Sequence, residues 1–186
     1  MNRRDLLLVA GATLAAGCTT TSGDTADPAA KRNKIDAAAD NALTKLYGQV
    51  PDSRELVRKA RGVLVLPDVV SAGFVVGGTY GEGALRKGGV TTAYYSVGAA
   101  SVGLLAGAQS KAMYLLFMTE EALQKFESSQ GWTAGADASV AVAKVGADAR
   151  VDTETAQKPI IGFVLTNAGL MANLSLDGTK FTRMKL

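Results

Sequence analysis

The 186-residue sequence contains no histidine and a single cysteine. The first absence removes Ser–His–Asp and Cys–His nucleophile systems and every His-ligated zinc site together. The second excludes an internal disulfide, a cysteine metal cluster and a CxxC redox pair. Proline is scarce at 4 residues, unlike a low-complexity linker protein. Long apolar runs are also missing. The stretch 97–118 is broken by Ser101, Gln109, Ser110 and Lys111, so it does not read as a helix crossing a ~30 Å hydrocarbon core. The net charge of +3 is basic but well short of a dedicated nucleic-acid binder, and no nucleic-acid partner is expected.

What is present is globular. Hydrophobic residues make up 47% and charged residues 20%, a balance that excludes a disordered chain. Glycine is abundant, with 21 residues. The first residues read as an export signal: Arg3 and Arg4, then an apolar run from Leu6 to Gly17, then small residues. The only cysteine closes that run in Leu14-Ala15-Ala16-Gly17-Cys18, which resembles a bacterial lipobox. The expectation is a signal peptide over 1–17 and a lipid-bearing thiol at Cys18, the acyl groups including palmitate. Arg3-Arg4-Asp5-Leu6-Leu7 resembles a twin-arginine signal; the Sec route is the alternative. Thr19 stands where Asp commonly marks inner-membrane retention, which points to the outer membrane, facing the periplasm. Residues 18–31 read as a lipidated flexible tether.

Helical periodicity follows. Ile35, Ala38, Ala39, Ala42, Leu43, Leu46 and Tyr47 fall on one stripe, and Gly48 is the expected stop. A second helix is expected from Asp52, with Asp52 and Glu55 spaced as a capping box and Gly62 as its end. On that helix Arg54, Arg58 and Arg61 would share one face, with Lys59 beside it. From Gly62 the period changes to two. The expected strands are 63–66, 73–80, 84–86, 91–97, 103–109, 112–118, 134–145, 160–166, 170–175 and 179–185. A short helix from Thr119 would bury Leu123 and Phe126. Helices followed by many strands predict an α+β fold, with N-terminal helices packed on a curled, mostly antiparallel, Gly/Ala-rich sheet or barrel.

No catalytic constellation emerges. The glycine cluster 77–83 lacks the Lys-Ser/Thr of a phosphate loop, and Gly83 to Gly88 is followed by Gly89 where lysine is needed. Close strand packing is the simpler role for these glycines. Asp137, Asp148, Asp152 and Glu154 form no EF-hand-like string. No metal, no cofactor and no enzymatic activity are expected. The basic face of Arg54, Arg58 and Arg61 is the most functional feature, because guanidinium forks match phosphate oxygens bidentately. The alternative is a solvated helix flank.

Several linked segments resemble the SYLF domain family. They include Lys59-Ala60-Arg61-Gly62-Val63-Leu64-Val65-Leu66-Pro67, Gly77-Gly78-Thr79-Tyr80-Gly81-Glu82-Gly83, Gly131-Trp132, Gly135-Ala136-Asp137 and Leu176-Asp177-Gly178-Thr179-Lys180. The resemblance runs from about Lys31 to the C-terminus, giving a SYLF-like domain over 32–186. It implies binding to phosphoinositide membranes, as in eukaryotic members, or to actin filaments, as in fungal ones. It also implies membrane contact by the amphipathic stretch Ile35–Tyr47. Taken together, the expectation is a lipid-anchored bacterial envelope protein that binds anionic phospholipid or another phosphate-bearing amphiphile. Lys34, Lys45, Arg54, Arg58, Lys59 and Arg61 are its candidate lipid-binding residues. A protein-interaction module, with an envelope partner or an actin-like one, is the second expectation.

Overall fold

The computed structural model describes residues 27–73, 76–102, 107–144, 151–171 and 174–186, with the backbone alone for 101–102 and 107–108. The expected signal, most of the tether and Cys18 lie outside the described residues. The elements in chain order are α1 (Pro28–Gln49), α2 (Ser53–Lys59), β1 (Gly62–Gly73), β2 (Val76–Lys87), β3 (Val90–Val102), β4 (Gly107–Phe117), α3 (Glu120–Ser128), β5 (Trp132–Thr133), β6 (Ala141–Val142), α4 (Thr153–Ala156), β7 (Ile160–Thr166), β8 (Gly169–Leu170) and β9 (Lys180–Arg183). The fold is α+β, as the sequence predicts.

One sheet carries the strands in the order β5-β9-β3-β2-β1-β4-β7-β6, with β8 paired to β7. Every pairing is antiparallel except β6 with β7. Side chains of a strand alternate between faces, so the sheet has two cores. On one face Val63, Val65, Ala84, Tyr114 and Leu116 pack with Ile35, Ala39, Ala42 and Leu46 of α1. On the other, Leu64, Leu66, Leu85, Leu115 and Phe117 pack with Leu123 and Phe126 of α3. The sheet curls around α3. Phe126 lies 4.7 Å from the rings of both Tyr95 and Phe117, 5.4 Å from Trp132 and 6.2 Å from Phe181. Those partners come from β3, β4, β5 and β9, which a flat sheet could not bring to one side chain.

Several local expectations are corrected. The strand expected to stop at Leu66 continues through Pro67 to Gly73, because β1 carries a bulge there. Both its pairings shift register at that point, between Val65 and Asp68 against β2 and between Leu66 and Val69 against β4. A bulge tolerates the proline, which has no N–H for the ladder. It also resets the alternation, so Leu66 and Val69 face the same core. Gly73 ends β1, and from Val76 the strands expected over 73–80 and 84–86 run on as one strand, β2. Its glycines permit close packing: a Cβ on Gly83 would sit 2.0 Å from the Val65 carbonyl oxygen.

Much of the strand expected over 134–145 is irregular. Asp137 accepts a hydrogen bond from the Thr133 N–H at 2.6 Å, its own N–H donates to Thr133 O, and Gly135 adopts φ +84°. That local side-chain bond competes with a ladder. α1 begins at Pro28, inside the stretch expected to be tether, with Asp27 accepting from Ala29 N. It runs one residue past the expected stop at Gly48. α2 lacks the expected capping box: Asp52 has helical φ and ψ and makes no side-chain cap bond. Instead Ser53 Oγ, buried, donates to Val50 O at 2.5 Å.

Candidate functional site

The candidate basic residues fall into separate groups. Arg54 and Arg58 are one turn apart on α2 and both are exposed. The Arg54 guanidinium stacks over the Tyr47 ring at 4.6 Å. Arg58 and Lys59 both pair with Glu55, Lys59 at 3.4 Å. Hydrogen bonding from Arg58, chiefly, holds the Glu55 carboxyl below its usual range. Arg58 and Lys59 keep 77% and 64% of their side chains exposed despite that pairing.

Arg61 does not share their helical face. The helix ends at Lys59, Ala60 is extended at ψ 139°, and the Arg61 N–H donates to Phe117 O at 2.8 Å. The i+7 reading therefore fails, although the Arg61 side chain stays exposed three residues from Arg58. Lys34 and Lys45 lie on α1, away from α2. Eleven residues of helix separate them, about 16 Å at 1.5 Å per residue. The structure thus brings Arg54, Arg58 and Lys59 together, sets Arg61 beside them, and places Lys45 and Lys34 progressively farther along α1.

The apolar stripe of α1 is not free for membrane contact. Ile35, Ala39, Ala42 and Leu46 are buried against the sheet, and Tyr114 Oη donates to Ala42 O at 2.7 Å. This corrects the membrane-contact role implied for Ile35–Tyr47. Burying Leu46 and Ile35 stabilises by roughly 1.5–3 kcal/mol each, which favours docking on the sheet over exposure.

The two flanks of α1 differ. Along one, Asp36 accepts hydrogen bonds from Thr91 Oγ1 at 2.8 Å and Tyr94 Oη at 2.9 Å. Arg86 reaches the Asp40 carboxylate and, at 3.0 Å, the Asp36 carbonyl. This flank is clipped to β2 and β3. The other flank borders an open groove made of two adjoining cavities of about 780 and 550 Å³, which share Ala38, Pro67 and Asp68. The larger lies below the start of α1, over Val70, Ala72, Gly78 and Tyr80. The smaller is polar, with Asn41, Lys45, Ser110 and Asn167 around it.

Val70 and Tyr80, at 42% and 58% exposure, are cross-strand partners on the groove floor. Tyr80 donates to Glu82 at 2.6 Å, and Lys31 donates to the same oxygen at 2.8 Å. The Glu82 bond is the main reason the Tyr80 phenol is pushed up to about 12. Burial alone would raise Glu82, but the bonds from Lys31 and Tyr80 outweigh it and leave the carboxyl below its usual range. Sequence reasoning missed Val70, Tyr80 and Asp68 as surface residues. The signal was the odd-numbered offset across Pro67, which turns Val70 away from the core that holds Val69.

Among the described residues no group of three His, Cys, Asp or Glu side chains is placed to hold a metal ion. The glycines of β2 form no phosphate loop; they lie in a strand. The family model Ysc84, described as Las17-binding protein actin regulator, matches residues 98–185. Residues 98–185 are thus similar to the family that the sequence resembles, the SYLF domain. The match covers the end of β3 through β9, and so includes α3 and, apart from Tyr95, the aromatic cluster around Phe126. No curated protein matches the chain. SYLF domains are a family of lipid- or actin-binding modules, which supports a binding role here.

Proposed function

We propose that this SYLF-like protein is a lipid-anchored bacterial envelope protein, held at the outer membrane through Cys18, that binds anionic lipid surfaces. The observation that carries the proposal is the basic cluster around α2. Arg54, Arg58, Lys59 and Arg61 fall within eight residues, all exposed, and the ion pairs of the described residues give them one carboxylate, Glu55. Guanidinium groups so placed can meet phosphates with little desolvation. Cys18 precedes Pro28, the start of α1, by ten residues, a reach of up to about 35 Å when extended. That matches the ~33 Å length of the 22-residue α1, so an anchored chain can lay the α1–α2 side along a bilayer.

The protein-interaction reading rests on the description of the matched family as an actin regulator. Sedimentation with vesicles separates the two. The lipid reading expects binding that grows with anionic lipid content and weakens with salt, since screening acts over ~8 Å at 0.15 M. Binding that ignores both variables would favour the protein partner.

A further inference from the structure

The groove on the other flank of α1 is not used by the basic cluster, and its chemistry changes along its length. At one end the floor is small and apolar: Val70, Ala72 and Gly78, with the Tyr80 ring. Ala72 and Gly78 are register partners, and a Cβ built on Gly78 meets nothing within 4 Å, so the space above them is open. At the other end the lining turns polar, and it carries two lysines, Lys45 and Lys111, and one carboxylate, Asp68. Lys45 has no ion-pair partner among the described residues, and the Asp68 carboxylate accepts only from Ser110 there. Nearby Lys31 is neutralised by Glu82 at 2.8 Å. An apolar trough leading to two lysines and one carboxylate is complementary to an amphiphile with one tail and a zwitterionic head, whose phosphate takes the lysine side and whose ammonium takes the carboxylate.

We propose that this groove binds a single molecule of a single-chain zwitterionic phospholipid, a lysophosphatidylethanolamine. The tail lies over Val70, Ala72, Gly78 and Tyr80, the phosphate meets Lys45, and the ammonium meets Asp68. The proposal rests on the lipid-binding reading above but names a second site and a monomeric ligand. The combined space suits it, since ligand cavities run to roughly 300–1,000 Å³. Lys34, at the apolar mouth, can lay its methylene stem over the tail while its ammonium stays in water.

The test is titration calorimetry of the full chain with lysophosphatidylethanolamine below its micelle-forming concentration. Wild type and variants share residues 1–26, so any contribution of that segment cancels between them. Gly78→Trp fills the trough from a strand position with no positive φ and open space at its Cβ, and should weaken binding at least tenfold. Ala72→Trp, from the paired strand, should do the same, so the outcome does not depend on one variant folding. Lys45→Gln and Asp68→Asn should each weaken it several-fold. Asp68→Asn should also improve binding of lysophosphatidic acid, whose head is purely anionic. Glycerophosphoethanolamine, the head without the tail, should not bind measurably. Wild type that ignores the lysolipid yet sediments with anionic vesicles would overturn the groove and leave the surface reading standing. Equal binding of the tail-less head, or full affinity in both folded Trp variants, would also overturn it. Replacing Arg54, Arg58 and Arg61 by Gln should leave lysolipid affinity within twofold, because those residues are outside the groove.

Discussion

Two aspartates one turn apart on α1 should differ sharply in what their removal does. Asp36 is half-buried and accepts from two hydroxyls, Thr91 and Tyr94. Asp40 keeps 66% of its side chain exposed and pairs with Arg86. Hydrogen bonds to a charged group contribute ~1.5–3 kcal/mol each; at the low end two give about 3 kcal/mol. Asp36→Ala also gains up to ~0.7 kcal/mol of helix propensity, leaving a loss of about 2 kcal/mol. For a chain of this size that lowers the thermal midpoint by about 4–8 °C. Asp40→Ala removes a surface pair worth ~0–1 kcal/mol and gains the same propensity, so its net effect should be near zero. The pH dependence of Asp40 adds a second readout. Hydrogen bonding from Arg86 holds the Asp40 carboxyl below its ordinary value. A depressed folded pKa stabilises above the unfolded value of ~3.9 and loses that contribution as pH falls through the lower folded value. Any cost of Asp40→Ala at neutral pH should therefore fade below pH ~4. The assay is urea unfolding at several pH values, reading the midpoint at constant slope. Equal losses from both substitutions would refute the claim that Asp36 clips the helix.

Two other substitutions probe the sheet and the anchor. Gly83→Ala sets a methyl group against the Val65 carbonyl and the Leu66 Cα, 2.0 and 2.8 Å from the built Cβ, so β1 and β2 must separate. Urea unfolding should show a loss of about 1–3 kcal/mol, the usual cost of overpacking, and a loss under ~1 kcal/mol would contradict the close approach. Cys18→Ser should move the protein from the detergent phase to the aqueous phase on phase partition. Unchanged partition would remove the lipid anchor from the proposal.

The sequence reveals the elements whose burial has a single period. The stripe Ile35, Ala39, Ala42 and Leu46 marks α1, and Thr119 with Leu123 and Phe126 marks α3. It hides features that depend on an offset or on a competing local bond. Pro67 looks like a strand end because proline lacks an N–H; only the shared register shift of β1 against β2 and β4 shows a bulge. Residues 134–145 alternate like a strand, but Asp137 folds the backbone around Thr133. The basic residues of α2 were legible as types and not as geometry, because the helix ends at Lys59 before Arg61. The groove was illegible: it needs α1, β1, β2 and β4 in register, and its residues span Ala30 to Asn167.

The central claim, that the α2 cluster meets anionic lipid, is tested most directly by vesicle sedimentation of the full chain and its Arg54/Arg58/Arg61→Gln variant. Vesicles should contain phosphatidylglycerol in increasing proportion, at two salt concentrations. Each basic residue near an anionic surface contributes ~1 kcal/mol, and tenfold in affinity is ~1.4 kcal/mol. Because Arg58 shares Glu55 with Lys59, the triple variant should lose between one and two decades of affinity at low salt, by the same conversion. The gap between the proteins should narrow at high salt, and binding to neutral vesicles should be equal. A folded triple variant that sediments with anionic vesicles as well as the wild type does would contradict the account.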